Sequence, residues 1–106
     1  MAGQVGGGSD ATPRPHLILS RLEVLGEELA KRGLRTTVVS LSGRVPSLHV
    51  VNPTAARLAE DVYVGRSQDG LWWFWWPWAE RIAPGDEAGE AAAVIARVLD
   101  VSDGRD

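Results

Sequence analysis

This chain contains no cysteine, and that absence narrows the classes of protein to which it can belong. Disulfide bonds and zinc or iron–sulfur sites with cysteine ligands are excluded. No apolar run approaches the roughly 20 residues that a membrane-spanning helix needs. The N-terminal stretch has neither a basic segment nor an apolar one after it, so we expect no signal peptide. Together these features predict a cytoplasmic protein without membrane association.

Recognisable catalytic and metal-binding motifs are missing as well. The two histidines, His16 and His49, stand in no ligand spacing such as H-E-x-x-H, and no G-x-S-x-G motif occurs. The glycine-rich start precedes no Lys-Ser or Lys-Thr pair, so it does not predict a phosphate loop. Adjacent acids such as Asp86 and Glu87 are better explained as residues that start a helix. We therefore expect a protein that is not an enzyme, with no catalytic residue, metal or cofactor.

The formal net charge of −3 at pH 7 argues against a dedicated nucleic-acid-binding protein. The length of 106 residues predicts one domain. We expect a disordered glycine-rich tail over residues 1–12, a single α+β domain over residues 13–101 and a second disordered tail over residues 102–106.

The first predicted element is an amphipathic helix from about Pro15 to Arg32. Its apolar stripe follows helical spacing and consists of Ile18, Leu22, Leu25 and Leu29. Gly33 is placed to end this helix in a left-handed conformation, with Leu34 packing back against Leu29.

A second helix is predicted from Asp86, as its N-cap, to about Leu99. Asn52 is predicted to cap a short helical turn that ends near Ala59. The predicted strands lie between the two long helices, over residues 35–41, 47–51, 61–66 and 71–76. This order, α-β-β-β-β-α, predicts an α+β two-layer sandwich with an antiparallel sheet of about four strands.

The aromatic residues are concentrated in one short segment. Residues 72–78 contain every tryptophan and the single phenylalanine. Side chains alternate between the two faces of a strand, and a small sheet covered on one side buries only one face. Three interpretations remain open: all rings pack in the core because Pro77 bends the segment, the rings form a protein-binding surface, or they form a stacking platform for sugars, bases or other flat ligands.

The dipeptide Asp69-Gly70 predicts a hairpin with a two-residue type I′ turn. This loop length places Ser67 opposite Trp72 and Val64 opposite Trp75, with the strand ending near Pro77. The face assigned to the core then carries Val62, Val64, Leu71, Trp73 and Trp75. The face assigned to the surface carries Tyr63, Gly65, Ser67, Trp72, Phe74 and Trp76.

An exposed face of this kind predicts a binding function. Each ring presents about 150–250 Å², so three or four half-exposed rings match the largest apolar patch usual on a monomer, roughly 300–600 Å². We therefore expect a non-enzymatic interaction domain that self-associates or binds a protein partner, without nucleic acid or membrane. The predicted contact residues are Tyr63, Trp72, Phe74, Trp76 and Trp78. The alternative is small-ligand or glycan binding through the tryptophan platform.

The segment Leu71–Ile82, followed by a short acidic linker and an alanine-rich helix, resembles a recurring type of small actinobacterial protein. The resemblance spans residues 15–100 and implies a small bacterial cytoplasmic domain, with no activity attached. The order of helix, strands and helix is also similar to that of a double-stranded RNA-binding domain. The last helix begins with the acidic segment 86–90, at the position where that family has a basic cluster. We therefore expect no RNA binding.

Overall fold

The structure, a computed structural model, describes residues 15–99. The two predicted tails lie outside the described residues. The elements in chain order are α1 (Pro15–Lys31), β1 (Arg35–Val39), β2 (Ser47–Val51), β3 (Ala59–Arg66), β4 (Trp72–Trp75), β5 (Arg81–Pro84) and α2 (Ala88–Val98). The predicted α+β arrangement with an N-terminal and a C-terminal helix is confirmed, and a fifth strand joins the sheet.

Helix α1 forms and ends as its sequence predicts. Its apolar stripe is buried in the core. Gly33 adopts a φ of 89°, which a glycine accommodates without steric cost. The N–H of Leu34 donates to the carbonyl of Leu29, and the N–H of Gly33 donates to that of Ala30. These are the two hydrogen bonds of a Schellman ending, and the buried Leu34 side chain accompanies them.

The five strands form one antiparallel sheet in the order β1-β2-β3-β4-β5, so each strand pairs with its neighbour along the chain. Helix α1 packs on β1, β2 and β3, helix α2 packs on β5, and the two helices contact each other. Their buried side chains meet one face of the sheet in a single core. Within residues 15–99, the opposite face is covered by no helix, and we call it the outer face.

Two local predictions are wrong. Residues 53–58 form successive turns rather than a helical turn, because the Asn52 side chain accepts from the N–H and the hydroxyl of Thr54 and so fixes a tight turn. The same side chain donates to the carbonyl of Leu99 and ties this turn to the end of α2. The N-cap of α2 is Glu87 rather than Asp86, and Glu87 makes no side-chain capping hydrogen bond.

The turn between β3 and β4 contains three residues rather than two. The N–H of Gly70 donates to the carbonyl of Ser67, and the N–H of Ser67 donates to that of Leu71. Gly70 has a φ of 85°. This is the pattern of a type I turn followed by a left-handed residue, the usual form of a three-residue hairpin loop. The predicted two-residue type I′ loop is therefore wrong, because the observed loop is one residue longer.

The turn between β4 and β5 repeats this geometry without a glycine. The N–H of Ala79 donates to the carbonyl of Trp76, and the N–H of Trp76 donates to that of Glu80. Ala79 takes the left-handed position, with a φ of 69°. The chain therefore reverses after Pro77 and continues as β5, the strand that the sequence did not predict.

The extra loop residue inverts the predicted core face of β4. Val64 pairs with Phe74, and Tyr63 pairs with Trp75. A shift of one residue in register moves a strand's side chains to the other face relative to its partner. Phe74 and Trp76, predicted to lie on the surface, are 0% and 4% exposed in the core.

Candidate functional site

The outer face carries an aromatic cluster over its central and last strands. Tyr63 and Gly65 of β3 pair directly with Trp75 and Trp73 of β4, and Trp75 pairs with Arg81 of β5. The three rings are half-buried, and Arg81 is exposed. We call Tyr63, Trp73, Trp75 and Arg81 the outer cluster. Of these four residues, the predicted contact residues included only Tyr63. Trp73 and Trp75 were absent because the predicted register assigned them to the core.

Trp75 lies flat across the backbone of β3. Its Nε1 donates to the carbonyl of Gly65 at 3.0 Å. A Cβ atom at Gly65 would lie 3.6 Å from that nitrogen, so the indole occupies the space above the glycine. The hydrogen bond satisfies the polar edge of the ring and fixes its orientation. The exposed part of the ring is therefore a rigid, flat surface.

Trp73 is held by a cation–π contact. The guanidinium carbon of Arg81 lies 4.5 Å from the centroid of the Trp73 ring. A second arginine makes a similar contact on the helix-bearing side of the sheet, where the guanidinium carbon of Arg66 lies 5.5 Å from the Trp72 ring centroid. The two arginines are thus comparable in their ring contacts, but only Arg81 belongs to the outer face.

A polar pair borders the outer cluster. His49 of β2 lies directly opposite Asp61 of β3, and the distance between Nδ1 of the histidine and Oδ1 of the aspartate is 2.8 Å. Both side chains are partly exposed, at 45% and 44%. An exposed pair of this kind contributes little to stability. It makes this part of the outer face polar, whereas the part that carries Tyr63, Trp73 and Trp75 is aromatic.

A shallow groove of about 440 Å³ opens beside Trp75 at the hairpin end of the sheet. Its lining residues are Ser67, Gln68, Asp69, Trp75 and Arg81. The hydrogen bond from the Ser67 hydroxyl lowers the pKa of the Asp69 carboxyl below its ordinary value, and the N–H of Leu71 adds to this effect. Asp69 is therefore ionised at neutral pH and holds the turn in place.

The predicted contact residues do not form one surface. Tyr63 lies on the outer face, and Trp72 is half-buried on the opposite side against the core. Trp78 is 54% exposed, stacks on Trp76 with 5.2 Å between the ring centroids, and donates from Nε1 to Glu80 at 2.8 Å. Buried Phe74 and Trp76 present almost no surface to a partner. The sequence also permits a three-residue loop between β3 and β4, with Gly70 at its last position. That loop length assigns the two faces of β4 correctly.

Neither a metal centre nor a membrane helix is found in the described part of the chain. Within residues 15–99, no three His, Cys, Asp or Glu side chains are grouped so that they could hold a metal ion. Over the same residues, neither helix has the length and apolar character to cross a membrane.

Comparison with known proteins finds no matching family model, no matching curated protein and no matching solved structure. The function is therefore inferred from the geometry of the structure alone.

Proposed function

We propose that this protein is a non-enzymatic interaction domain that binds a protein partner, either a second copy or another chain, through its outer face. The observation that carries the proposal is the stack of Arg81 on Trp73 beside the partly exposed ring of Trp75. Tryptophan, tyrosine and arginine are the residue types enriched among those that dominate binding energy at protein interfaces. The outer cluster consists of these three types alone.

The rigidity of the cluster supports a role in binding. Ordering flexible side chains at an interface costs about 0.5–1.5 kcal/mol for each one immobilised. The Trp75 ring is fixed by its hydrogen bond to Gly65, and the Trp73 ring is fixed under Arg81. Much of this ordering is already complete in the free protein, so association loses less entropy than it would with mobile rings.

The distribution of polar residues also supports a protein interface. Such interfaces combine an apolar, aromatic centre with a polar rim. On this sheet the aromatic part spans β3 and β4, with Arg81 of β5 on one side and the pair formed by His49 and Asp61 on the other. A partner that covers Trp73 and Trp75 would meet this pair and Arg81 at its margins.

The experiment compares two charge reversals, Arg81→Glu and Arg66→Glu. Both remove an exposed arginine from a tryptophan ring, but only the first changes the outer face. Sedimentation equilibrium from micromolar to millimolar protein should show the wild type and Arg66→Glu rising above the monomer mass of 11.4 kDa. Arg81→Glu should weaken association by at least about tenfold, equal to 1.4 kcal/mol.

A monomer mass for the wild type at every concentration would exclude self-association. The same pair of variants is then used as bait in co-purification from the native host, where Arg81→Glu should lose a partner that Arg66→Glu retains. A partner lost equally by both variants, or retained by both, would contradict binding through the outer face.

The second candidate function is binding of a glycan or another small flat ligand, and the groove beside Trp75 favours it. An aromatic ring next to amide, carboxylate and guanidinium groups offers both stacking and hydrogen bonds to a sugar. This candidate predicts a ligand-dependent change of tryptophan fluorescence in a protein that stays monomeric. Measured by calorimetry, Trp75→Phe should keep part of the binding, whereas Trp75→Ala should abolish it.

A further inference from the structure

A second cleft lies near the hairpin tip, between Arg21 of α1 and Trp73, which is also a member of the outer cluster. It has a volume of about 310 Å³, at the lower end of the range of small-molecule sites, roughly 300–1,000 Å³. Its lining residues are Arg21, Gly70, Leu71, Trp72, Trp73, Pro84 and Asp86. The walls are therefore largely apolar, with one cation and one anion among them. The groove beside Trp75 shares none of these residues.

Two side chains that line this cleft each carry a buried hydrogen-bond donor without a partner. Among the side chains of residues 15–99, the buried nitrogen and oxygen atoms without a hydrogen-bond partner are Nε of Arg21 and Nε1 of Trp73. Both side chains line the same cleft. A buried donor without a partner has given up its hydrogen bond to water, so such atoms are uncommon in native proteins and call for an explanation. Their occurrence in one cleft points to an acceptor group that binds there.

The structure also fixes where the positive charge lies. One terminal nitrogen of the Arg21 guanidinium donates to the carbonyl of Gly85, which anchors the side chain at the junction between β5 and α2. Arg21 and Asp86 form no ion pair although both line the cleft. The cleft thus presents a cation with an unused donor and, separately, an exposed carboxylate.

We propose that this cleft binds a free apolar α-amino acid. The carboxylate of the ligand accepts hydrogen bonds from Arg21 and from the indole N–H of Trp73, and its ammonium group faces Asp86. The apolar side chain packs against Trp72 and Pro84. This zwitterion matches the two charges and the apolar walls at once, whereas a simple carboxylate leaves Asp86 unmatched and a simple amine leaves both donors unmatched.

The hairpin tip gives the ligand a way in. Leu71 is 59% exposed, and the space around Gly70 is open, with nothing within 4 Å of a Cβ placed there. This part of the cleft wall can therefore move without disturbing the core. The opposite wall is rigid, because a Cβ at Gly85 would lie only 3.0 Å from Cβ of Trp72. Both donors are buried in the free protein, so the carboxylate reaches them only when this part of the wall moves.

The experiment titrates the protein with three related probes: L-phenylalanine, 3-phenylpropionate, which lacks the ammonium group, and 2-phenylethylamine, which lacks the carboxylate. Binding is followed by calorimetry and by the indole and arginine Nε–H signals in nitrogen-15 NMR spectra. L-Phenylalanine should bind most tightly and shift the signals of Trp73 and Arg21. 3-Phenylpropionate should bind about two- to fivefold more weakly, as expected for the loss of an exposed ion pair. 2-Phenylethylamine should bind at least about tenfold more weakly than L-phenylalanine.

Substitutions separate the two charges. Asp86→Asn should give L-phenylalanine and 3-phenylpropionate equal affinity, and Arg21→Gln should weaken both by at least about tenfold. Arg66→Gln, which alters a ring contact outside the cleft, should change none of these affinities. If Arg21→Gln does not fold, the NMR titration of the wild-type protein still tests whether the probe contacts Arg21 and Trp73. An absence of binding at 10 mM probe, or shifts of tryptophan signals without a shift of Arg21, would overturn the proposal, whatever the outcome for the outer face.

Discussion

Val64 lies directly opposite Phe74 across β3 and β4. Because paired residues in a sheet point to the same side, this places Phe74 with Val64 and Val62 in the core. It also places Trp73 and Trp75 on the outer face. The pairing of Phe74 with Val64 thus decides which rings of β4 stabilise the fold and which are available to a partner.

The first prediction concerns this division. Phe74→Ala should reduce the free energy of unfolding by about 3–5 kcal/mol, because it leaves a cavity at a fully buried site. Trp75→Ala should cost less, since its ring is only partly buried, although the substitution loses both packing and the hydrogen bond to Gly65. Urea unfolding at low micromolar protein measures both. A larger loss for Trp75→Ala than for Phe74→Ala would contradict the observed register.

The second prediction concerns the left-handed residue Ala79. A residue with a side chain in this conformation costs about 1–2 kcal/mol relative to glycine, and the greater chain entropy of glycine offsets part of the gain. Ala79→Gly should therefore raise the free energy of unfolding by about 0.5–1 kcal/mol. Ala56→Gly, at an exposed turn position with ordinary φ, should lower it or leave it unchanged. Thermal unfolding of both variants provides the comparison, and a loss of stability in Ala79→Gly would refute the turn assignment.

The third prediction concerns two glycines at the start of α2. A Cβ at Gly85 would approach Trp72 to 3.0 Å, so Gly85→Ala should destabilise the fold by about 1–3 kcal/mol. Gly89 lies within α2 with nothing within 4 Å of a Cβ, so Gly89→Ala should stabilise it by about 0.5–1 kcal/mol. The two substitutions add the same methyl group four residues apart. Effects of equal sign in chemical denaturation would show that Gly85 does not make this close contact.

The fourth prediction concerns pH. The hydroxyl of Ser67 and the N–H of Leu71 lower the pKa of folded Asp69 below its ordinary value of 3.8. A carboxyl with a depressed folded pKa contributes stability above the unfolded pKa, and the contribution is lost as pH falls through the folded value. Asp69→Ala should therefore be less stable than the wild type at pH 6, and the difference should shrink as pH falls below 3.8. Gln68→Ala, in the same loop, should show a difference that does not depend on pH, and a constant difference for Asp69→Ala would argue against this role.

Both helices, the Schellman ending at Gly33 and four of the five strands are predicted by local signals. The helices follow apolar spacing, and β2 follows alternation between two turn-rich segments. The missed strand, β5, begins after a turn whose left-handed residue is Ala79 rather than glycine or asparagine. Pro77 stands at position i+1 of this turn, where proline is favoured, but the left-handed position lacks the glycine that marks a hairpin loop. The sequence-based prediction ended the strand near Pro77 because proline cannot donate a hydrogen bond to a neighbouring strand.

The outer cluster was not predicted because its position depends on the length of one loop. Asp69-Gly70 is compatible with a two-residue type I′ loop and with a three-residue loop in which Gly70 takes the last position. In the observed loop the Asp69 carboxylate accepts from the N–H of Leu71, which stabilises the longer form. A segment with large rings on both faces gives no hydrophobic contrast with which to choose between the two registers.

The strict chain order of the sheet has a consequence for folding kinetics. Every strand pairs with its immediate neighbour in sequence, so the sheet can assemble one hairpin at a time with short loop closures. The contact between α1 and α2 is different, because it joins segments that are separated by all five strands. Closing that contact carries the largest loss of chain entropy. Substitutions at the helix–helix contact should therefore slow folding more than substitutions of equal cost within a single hairpin, if that contact forms in the transition state.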